Sequence, residues 1–143
     1  MSFLPQYRPK KLSLGFLERE ILDIVWDLGY ASAKDIHDRI LTDPDRELAY
    51  ASVMTVLQRL AKKGWIAYEK KGRAFYWYPL VSREQAQAIL SYERLHNFLA
   101  VSNPDVVASF ADSLDATSID KLQAIAARLA EIKNQREKTQ QGD

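Results

Sequence analysis

The residues of this chain that are best suited to chemistry lie in the stretch AYEKKGRAFYWYPL, residues 67–80. Three cations, Lys70, Lys71 and Arg73, surround a glycine, and aromatic side chains flank them on both sides. Ammonium and guanidinium groups bind anions such as phosphate. Aromatic rings either stack on unpaired bases or pack into a hydrophobic core. The stretch therefore indicates a surface for an anionic partner.

The distribution of charge along the chain supports a local anionic partner. The 143 residues carry a formal net charge of only +1. Residues 50–83 nevertheless contain seven Lys and Arg against a single acid, Glu69. The segments on either side hold more acidic than basic residues. One cationic segment between two mildly acidic ones is typical of a binding surface rather than of general solubility.

Other kinds of chemistry have little support in the sequence. The absence of cysteine excludes a disulfide framework, an iron–sulfur site and thiolate sensing of metals. His37 and His96 lie on different predicted helices without metal-ligand spacing, and the five glycines form no phosphate loop. We therefore expect no catalytic site, no metal and no cofactor. Without a long apolar run or a signal-peptide core, we expect a cytoplasmic protein.

Three helices and a hairpin are predicted to position the cations. The runs GFLEREILDIVWDLG, SAKDIHDRIL and LAYASVMTVLQRLAKKG each place apolar residues on one helical face. Residues 65–78 predict a hairpin that turns at Lys71-Gly72. We expect Trp65, Phe75 and Trp77 to pack this hairpin onto the helices. The order of helix, helix, helix and hairpin predicts a winged helix-turn-helix.

The second half of the chain predicts three more amphipathic helices. Ser82 with Gln85, the pair Asn103-Pro104, and Thr117 with Asp120 indicate their starts. The predicted fold class is mainly α with a small β-hairpin: a winged helix-turn-helix domain followed by a three-helix dimerisation region. The predicted segments are a flexible basic arm (1–13), the winged-helix domain (14–81), the dimerisation domain (82–138) and a polar tail (139–143).

A winged helix-turn-helix inserts its recognition helix into the major groove of DNA. In this chain that helix starts near Ala49. Hydroxyl groups suit phosphate or base contacts, small apolar groups suit thymine methyl groups, and cations suit phosphates. The candidate residues for contact with double-stranded DNA are Ser32, Tyr50, Ala51, Ser52, Met54, Thr55, Arg59, Lys62, Lys63, Lys70, Lys71 and Arg73.

The C-terminal helices are too short and amphipathic to bury their own apolar stripes well. Pairing with a second copy would cover these stripes, and a two-fold dimer would double the few base contacts over a palindromic operator. We therefore expect a homodimer. The candidate dimerisation residues are Ile89, Leu95, Phe98, Val107, Phe110, Leu114, Leu122, Ile125 and Leu129.

Other readings of the same residues remain open at this point. Lys62 and Lys63 near a helix C-terminus also complement the helix dipole. A turn of Lys, Gly and Arg is also a common solubilising turn. A competing hypothesis from another class is therefore a winged-helix module for protein–protein interaction, whose basic face meets an acidic partner.

The runs LGFLEREILDIVW, SAKDIHDRI and LAYASVMTVLQRLAKKGWIAYEKKGRAFYWYPLVSREQ resemble the penicillinase-repressor family of bacterial transcription regulators. The resemblance implies a dimeric winged-helix repressor with interlocked C-terminal helices on a short dyad-symmetric operator. It places base-reading positions at Ala51, Ser52 and Thr55, and phosphate contacts at Arg59 and the hairpin. Relatives often have lysine or threonine where this chain has Ala51, so the operator sequence is expected to differ.

The same resemblance bears on regulation. Copper-responsive members of the family use a C-terminal cysteine pair, which this chain lacks. The β-lactam-responsive members are inactivated by a protease that cuts an Asn-Phe bond in the C-terminal helices. The corresponding bond is Ser109-Phe110, where the phenylalanine is present and the asparagine is not. The resemblance therefore leaves an inactivating protease without specific support.

Overall fold

The computed structural model describes residues 5–141, apart from the side chains of Val107 and Ala111. The chain divides into two compact units between His96 and Asn97, which are described separately. The elements, in chain order, are α1 (Phe16–Leu28), β1 (Ala31–Ser32), α2 (Ala33–Ile40), α3 (Tyr50–Lys63), β2 (Ile66–Lys71), β3 (Ala74–Pro79), α4 (Arg83–Val101), α5 (Pro104–Phe110), a 3-10 turn (Ala111–Ser113) and α6 (Ala116–Gln141).

Helices α1, α2 and α3 enclose the core of the first unit. Residues three and four apart share a face of a helix, so an apolar stripe at this spacing is buried as a whole. Helix α3 shows this directly, because its predicted stripe is the face that is buried. The core residues contributed by these helices are Ile21, Leu22, Val25, Ala33, Ile36, Ile40, Val53, Val56, Leu57 and Leu60.

The predicted hairpin is the β2–β3 pair, and it belongs to an antiparallel sheet with the strand order β1-β3-β2. Gly72 in the turn has a φ of 66°, which favours glycine. Strand β1 was not predicted, because two residues are too few to show a period. Its Ala31 pairs with Trp77 and its Ser32 with Tyr76. The winged helix-turn-helix fold and the mainly α class are thus confirmed.

The tryptophans attach this sheet to the helices, and Phe75 does not. Trp65 is fully buried and Trp77 is 3% exposed, as predicted. Phe75 is 42% exposed, so the prediction that it packs onto the helices was wrong. It pairs with Lys70 near the tip of the hairpin, beyond the reach of the core, and its ring meets the Tyr68 ring edge to face at 5.3 Å.

The segment predicted as a flexible arm is attached to the end of α3 from residue 7 onwards. The Tyr7 hydroxyl donates to the Gly64 carbonyl at 2.7 Å. The Lys11 N–H donates to the Lys63 carbonyl at 3.2 Å, and the Trp65 indole N–H donates to the Lys11 carbonyl at 3.0 Å. The first two contacts satisfy carbonyl groups that a helix leaves without partners at its C-terminus. The first four residues of the predicted arm lie outside the described range.

Helix α4 up to His96 also belongs to the first unit, so the structure divides the chain later than the predicted boundary after residue 81. Ser82 and Gln85 form the predicted reciprocal cap, with hydrogen bonds of 2.9 and 3.0 Å. Beyond this cap, Ala86 and Ile89 are buried in the core. Ile89 was predicted to contact a second copy, and this prediction was wrong, because the core of its own chain already covers the side chain.

The second unit contains the end of α4 together with α5, the 3-10 turn and α6. Helix α6 begins one residue before Thr117, and its cap is Asp115, which accepts from the Ser118 N–H at 2.7 Å. The predicted cap by Thr117 and Asp120 was therefore wrong by about half a turn. Over residues 5–141, none of the helices is long and apolar enough to cross a membrane.

Candidate nucleic-acid interface

The outer face of α3 presents short polar and cationic side chains. Ala51, Thr55 and Arg59 are exposed and Ser52 is half-buried. Together with neighbouring apolar side chains, these four residues line a surface depression of about 330 Å³. The Thr55 hydroxyl donates to the Ala51 carbonyl at 3.0 Å, which leaves its oxygen lone pairs free to accept. This face therefore offers hydrogen-bonding groups and one cation.

Helix α2 holds the N-terminal end of α3. A ring nitrogen of His37 lies 2.6 Å from the Leu48 carbonyl oxygen, just before α3 begins. The His37 ring also meets the Tyr50 ring edge to face at 5.8 Å. His37 therefore has a structural role and leaves Tyr50, which is 49% exposed, at the N-terminal end of α3.

The hairpin tip carries the other cations. The Lys70 ammonium lies 6.0 Å from the centroid of the Phe75 ring, and the Lys71 ammonium lies 5.8 Å from the centroid of the Tyr30 ring. Arg73 is exposed directly after Gly72. Contacts of an ammonium with an aromatic face restrain it weakly at an exposed site, so both lysines remain available to a stronger anionic partner.

Five of the candidate cations have no ion pair with an acidic side chain within residues 5–141. Some other cations of the first unit are paired: Arg83 lies 2.7 Å from Asp23 and 2.8 Å from Asp27, and Arg46 contacts Glu20. The exposed cations of α3 and the hairpin therefore keep positive charge that no ion pair compensates. We call this set of residues the cationic face, although Lys70 and Lys71, as neighbours on β2, leave opposite faces of the sheet. It consists of Arg59, Lys62, Lys70, Lys71 and Arg73.

Lys63 was predicted to contact phosphate, and the structure gives its ammonium other partners. The ammonium lies 2.7 Å from a carboxylate oxygen of Glu18 and 2.7 Å from the Ser13 carbonyl oxygen. Burial raises the pKa of the Glu18 carboxyl group, but the hydrogen bonds from Lys63 and from the Gly15 N–H outweigh it and hold this pKa below its usual value. Lys63 therefore braces α3 against α1 and the arm.

Two further candidates are also engaged in the fold. Met54 is half-buried and packs against the core, so it does not present its side chain as a free contact for thymine. The Ser32 hydroxyl accepts from the Asp35 N–H at 3.1 Å, and the Asp35 carboxylate accepts from the Ser32 N–H at 3.1 Å. Ser32 is thus the N-cap of α2.

Sequence reasoning missed a cluster of side chains on the outer face of the sheet. The Tyr30 ring stacks on the Tyr76 ring, with centroids 5.0 Å apart and planes 3° apart. The Tyr30 hydroxyl donates to the Glu69 carboxylate at 2.5 Å. This hydrogen bond raises the pKa of Tyr30 to about 12. No sequence signal could have paired residues 39 positions apart, because the pairing follows from the sheet order.

Seven of the predicted dimerisation residues expose apolar side chains; Leu95 belongs to the first unit, and the other six lie in the second. They are exposed by 36–57% of their surface. Of the other two candidates, Ile89 is buried, and the side chain of Val107 lies outside the described part of the structure. The Ser109-Phe110 bond lies at the end of α5. The exposed candidates are Leu95, Phe98, Phe110, Leu114, Leu122, Ile125 and Leu129.

The fold and the cationic face define a winged-helix protein of the helix-turn-helix class. Residues 14–128 match the family model described as penicillinase repressor, and the chain belongs to that family. It is 31% identical to the transcriptional regulator BlaI of Mycobacterium tuberculosis over 124 residues, 86% of this chain and 87% of that one. It is 30% identical to the methicillin resistance regulatory protein MecI of Staphylococcus aureus over 90 residues, 63% and 68% of the two chains.

Among solved structures, the chain is similar to the DNA-binding domain of the repressor BlaI in solution. The similarity has a TM-score of 0.46 at 23% sequence identity and covers 53% of this chain and 92% of that one.

Proposed function

We propose that this chain is a homodimeric transcriptional repressor that occupies a dyad-symmetric DNA operator. The observation that carries the proposal is the cationic face, which lies on the recognition helix and the hairpin of a winged helix, the elements that such folds apply to DNA. Its family membership supports the same function, since the similar proteins BlaI and MecI are named as regulators.

In this proposal, α3 reads bases and the hairpin, acting as a wing, binds the backbone. Ser52 and Thr55 lie on the exposed face of α3, where their oxygen atoms can accept from or donate to base edges. Arg59 lies one turn after Thr55 along the same face and suits a phosphate at the groove edge. The wing cations carry no acidic partner within the described chain, so they suit the phosphates of the flanking backbone.

The exposed apolar residues of the second unit support the homodimer. Helix α6 has no buried residue within the part of it that the structure describes. Its leucine and isoleucine side chains recur at helical spacing and are more than half exposed at Leu122, Ile125 and Leu129. Contiguous apolar surface of this kind is rare on monomers. A second copy supplies a matching stripe and also doubles the base contacts over a palindrome.

The direct test is a fluorescence-anisotropy titration against genomic promoter fragments, followed by footprinting of any fragment that binds. We expect sequence-selective binding that weakens with salt. Thr55→Val should change the ranking of fragments, whereas Lys71→Gln should weaken all fragments about equally. Lys133→Gln is the matched control, because it removes a cation from α6 outside the cationic face.

The alternative function is a protein–protein module whose cationic face meets an acidic partner. Binding of this kind would also weaken with salt, so salt dependence alone does not separate the two functions. The ranking of DNA fragments by affinity separates the two functions, because a surface that binds an acidic protein has no preference for a base sequence. If every fragment bound equally, or if no fragment bound, the repressor function would be contradicted and the protein–protein module would be favoured.

A further inference from the structure

The wing contains one acidic residue beside its cations, and its placement has a consequence for Lys71. Glu69 and Lys71 are two residues apart on β2, so their side chains leave the same face of the sheet. Residues at this spacing on a strand are about 7 Å apart at their backbones, well within reach of a Glu–Lys ion pair. No such pair forms in the described structure.

Tyr30 contacts both of these groups. The Tyr30 hydroxyl donates to the Glu69 carboxylate at 2.5 Å, and the Tyr30 ring lies under the Lys71 ammonium, 5.8 Å from it. One side chain therefore holds the carboxylate by its polar end and the ammonium by its aromatic face.

The sheet fixes Tyr30 in this position. Tyr30 immediately precedes β1, the strand that pairs with β3, and its ring stacks on Tyr76 of that strand. Tyr76 is the direct cross-strand partner of Glu69 on β2. The tyrosine thus reaches across all three strands and links the wing to the end of α1. The raised pKa of Tyr30 agrees with this geometry, since the hydroxyl keeps the proton that it donates.

We propose that Tyr30 is a positioning residue for DNA binding: by holding the Glu69 carboxylate, it keeps Lys71 free for a DNA phosphate. The inference rests on the proposed DNA-binding function. Without the tyrosine hydroxyl, the carboxylate is free to turn towards Lys71 and form the ion pair that the strand spacing permits. DNA would then have to break that pair before it could use the lysine.

The test compares Tyr30→Phe, Glu69→Gln, Lys71→Gln and the double variant Tyr30→Phe/Glu69→Gln by fluorescence anisotropy on one bound fragment, at several salt concentrations. Tyr30→Phe keeps the ring that stacks on Tyr76 and removes only the hydroxyl. It should weaken binding about two- to fivefold at low salt. It should also reduce the slope of log affinity against log salt by up to about 0.9, the value for one lost phosphate contact, towards the slope of Lys71→Gln.

The double variant separates this role from a purely structural one. Glu69→Gln removes the charge that Tyr30 restrains, so the double variant should bind as well as Glu69→Gln alone. If the loss caused by Tyr30→Phe persists beside Glu69→Gln, or if Tyr30→Phe binds as the unaltered chain does, the positioning role of Tyr30 is overturned. Failure of the unaltered chain to bind any fragment would overturn the proposed function and this inference together.

Discussion

Arg59 and Lys63 lie one helical turn apart on α3, and their neighbours give them different roles. Arg59 is exposed and forms no ion pair among the described residues, although its charge helps to lower the pKa of Glu18. Lys63 is enclosed by Glu18 and the Ser13 carbonyl, and only 19% of its side chain is exposed. A cation that is already satisfied inside the protein gains little from a phosphate. The two residues should therefore respond differently to the same substitution.

Replacing Lys63 by methionine keeps the apolar stem and removes the charge. We expect the free energy of unfolding to fall by about 1–3 kcal/mol, because the half-buried Glu18 carboxylate loses its charged hydrogen-bond donor. The salt dependence of DNA binding should not change. Arg59→Met should leave the free energy of unfolding nearly unchanged. It should reduce the magnitude of the slope of log affinity against log salt by about 0.9. Denaturant unfolding and anisotropy titrations measure the two quantities, and a reduced slope for Lys63→Met would contradict the bracing role.

The Glu18–Lys63 pair should also make stability depend on pH. The pKa of Glu18 is lower in the folded protein than the ordinary value of 4.5, so its contribution is present above that value and is lost as the pH falls through the folded pKa. We expect Glu18→Gln to show a smaller loss of unfolding free energy than the unaltered chain between neutral pH and pH 3. Urea unfolding across this range measures the difference. If the unfolding free energies of the two proteins fell in parallel with pH, the contribution of Glu18 would be ruled out.

The N-terminal segment and the end of α3 form one connected element. Gly64 ends α3 at a φ of 92°, and the segment passes directly over it. A Cβ at this position would lie 2.9 Å from the Tyr7 hydroxyl, 3.1 Å from the Lys10 nitrogen and 3.2 Å from a Pro9 backbone carbon. The position therefore excludes side chains for two reasons, backbone conformation and lack of space.

Gly64→Ala should separate this close approach from backbone strain. Gly72 also has a positive φ, 66°, in the turn of the hairpin, and a Cβ there would meet nothing within 4 Å. Gly72→Ala should cost about 1–2 kcal/mol for the positive φ alone. Gly64→Ala should cost clearly more, because the N-terminal segment must also move. Urea unfolding of both variants provides the comparison. Equal losses of unfolding free energy would show that the N-terminal segment can move aside without a loss of stability.

At the scale of the whole molecule, the apolar stripe of α6 should determine the oligomeric state. Leu122→Glu places a charge in the proposed shared core, where burial without a partner is strongly unfavourable. We expect the mass in solution to fall from that of a dimer to that of a monomer, as measured by light scattering. Gln123→Glu is the matched control, since it adds the same charge one residue away on the same helix. A monomeric mass for the unaltered chain would exclude the shared core.

The cationic face should also set the overall salt dependence. If each of its five cations neutralises one phosphate, log affinity should fall against log salt with a slope of about −4.5 per protein chain. The measurement is a series of anisotropy titrations at increasing salt. A slope near zero would exclude a backbone-binding role for this face.

Much of this architecture could be predicted, because it follows from local patterns. The helical stripes, the glycine that ends α3, the turn at Gly72 and the cap formed by Ser82 and Gln85 all follow from residues close together in sequence. The exceptions also have physical causes. Phe75 carries a core-type side chain, but it lies too near the tip of the hairpin to reach the core.

The sequence by itself determined the fold class, the family and the concentration of cations around α3 and the wing. Periodicity, turns and charge counts depend only on the order of residues. The tertiary structure alone decided which cations are free. Lys63 meets an acid 45 residues away and Glu69 meets Tyr30 39 residues away, whereas Lys71 meets only an aromatic ring. An ion pair depends on distance in space, and only packing brings such distant residues together.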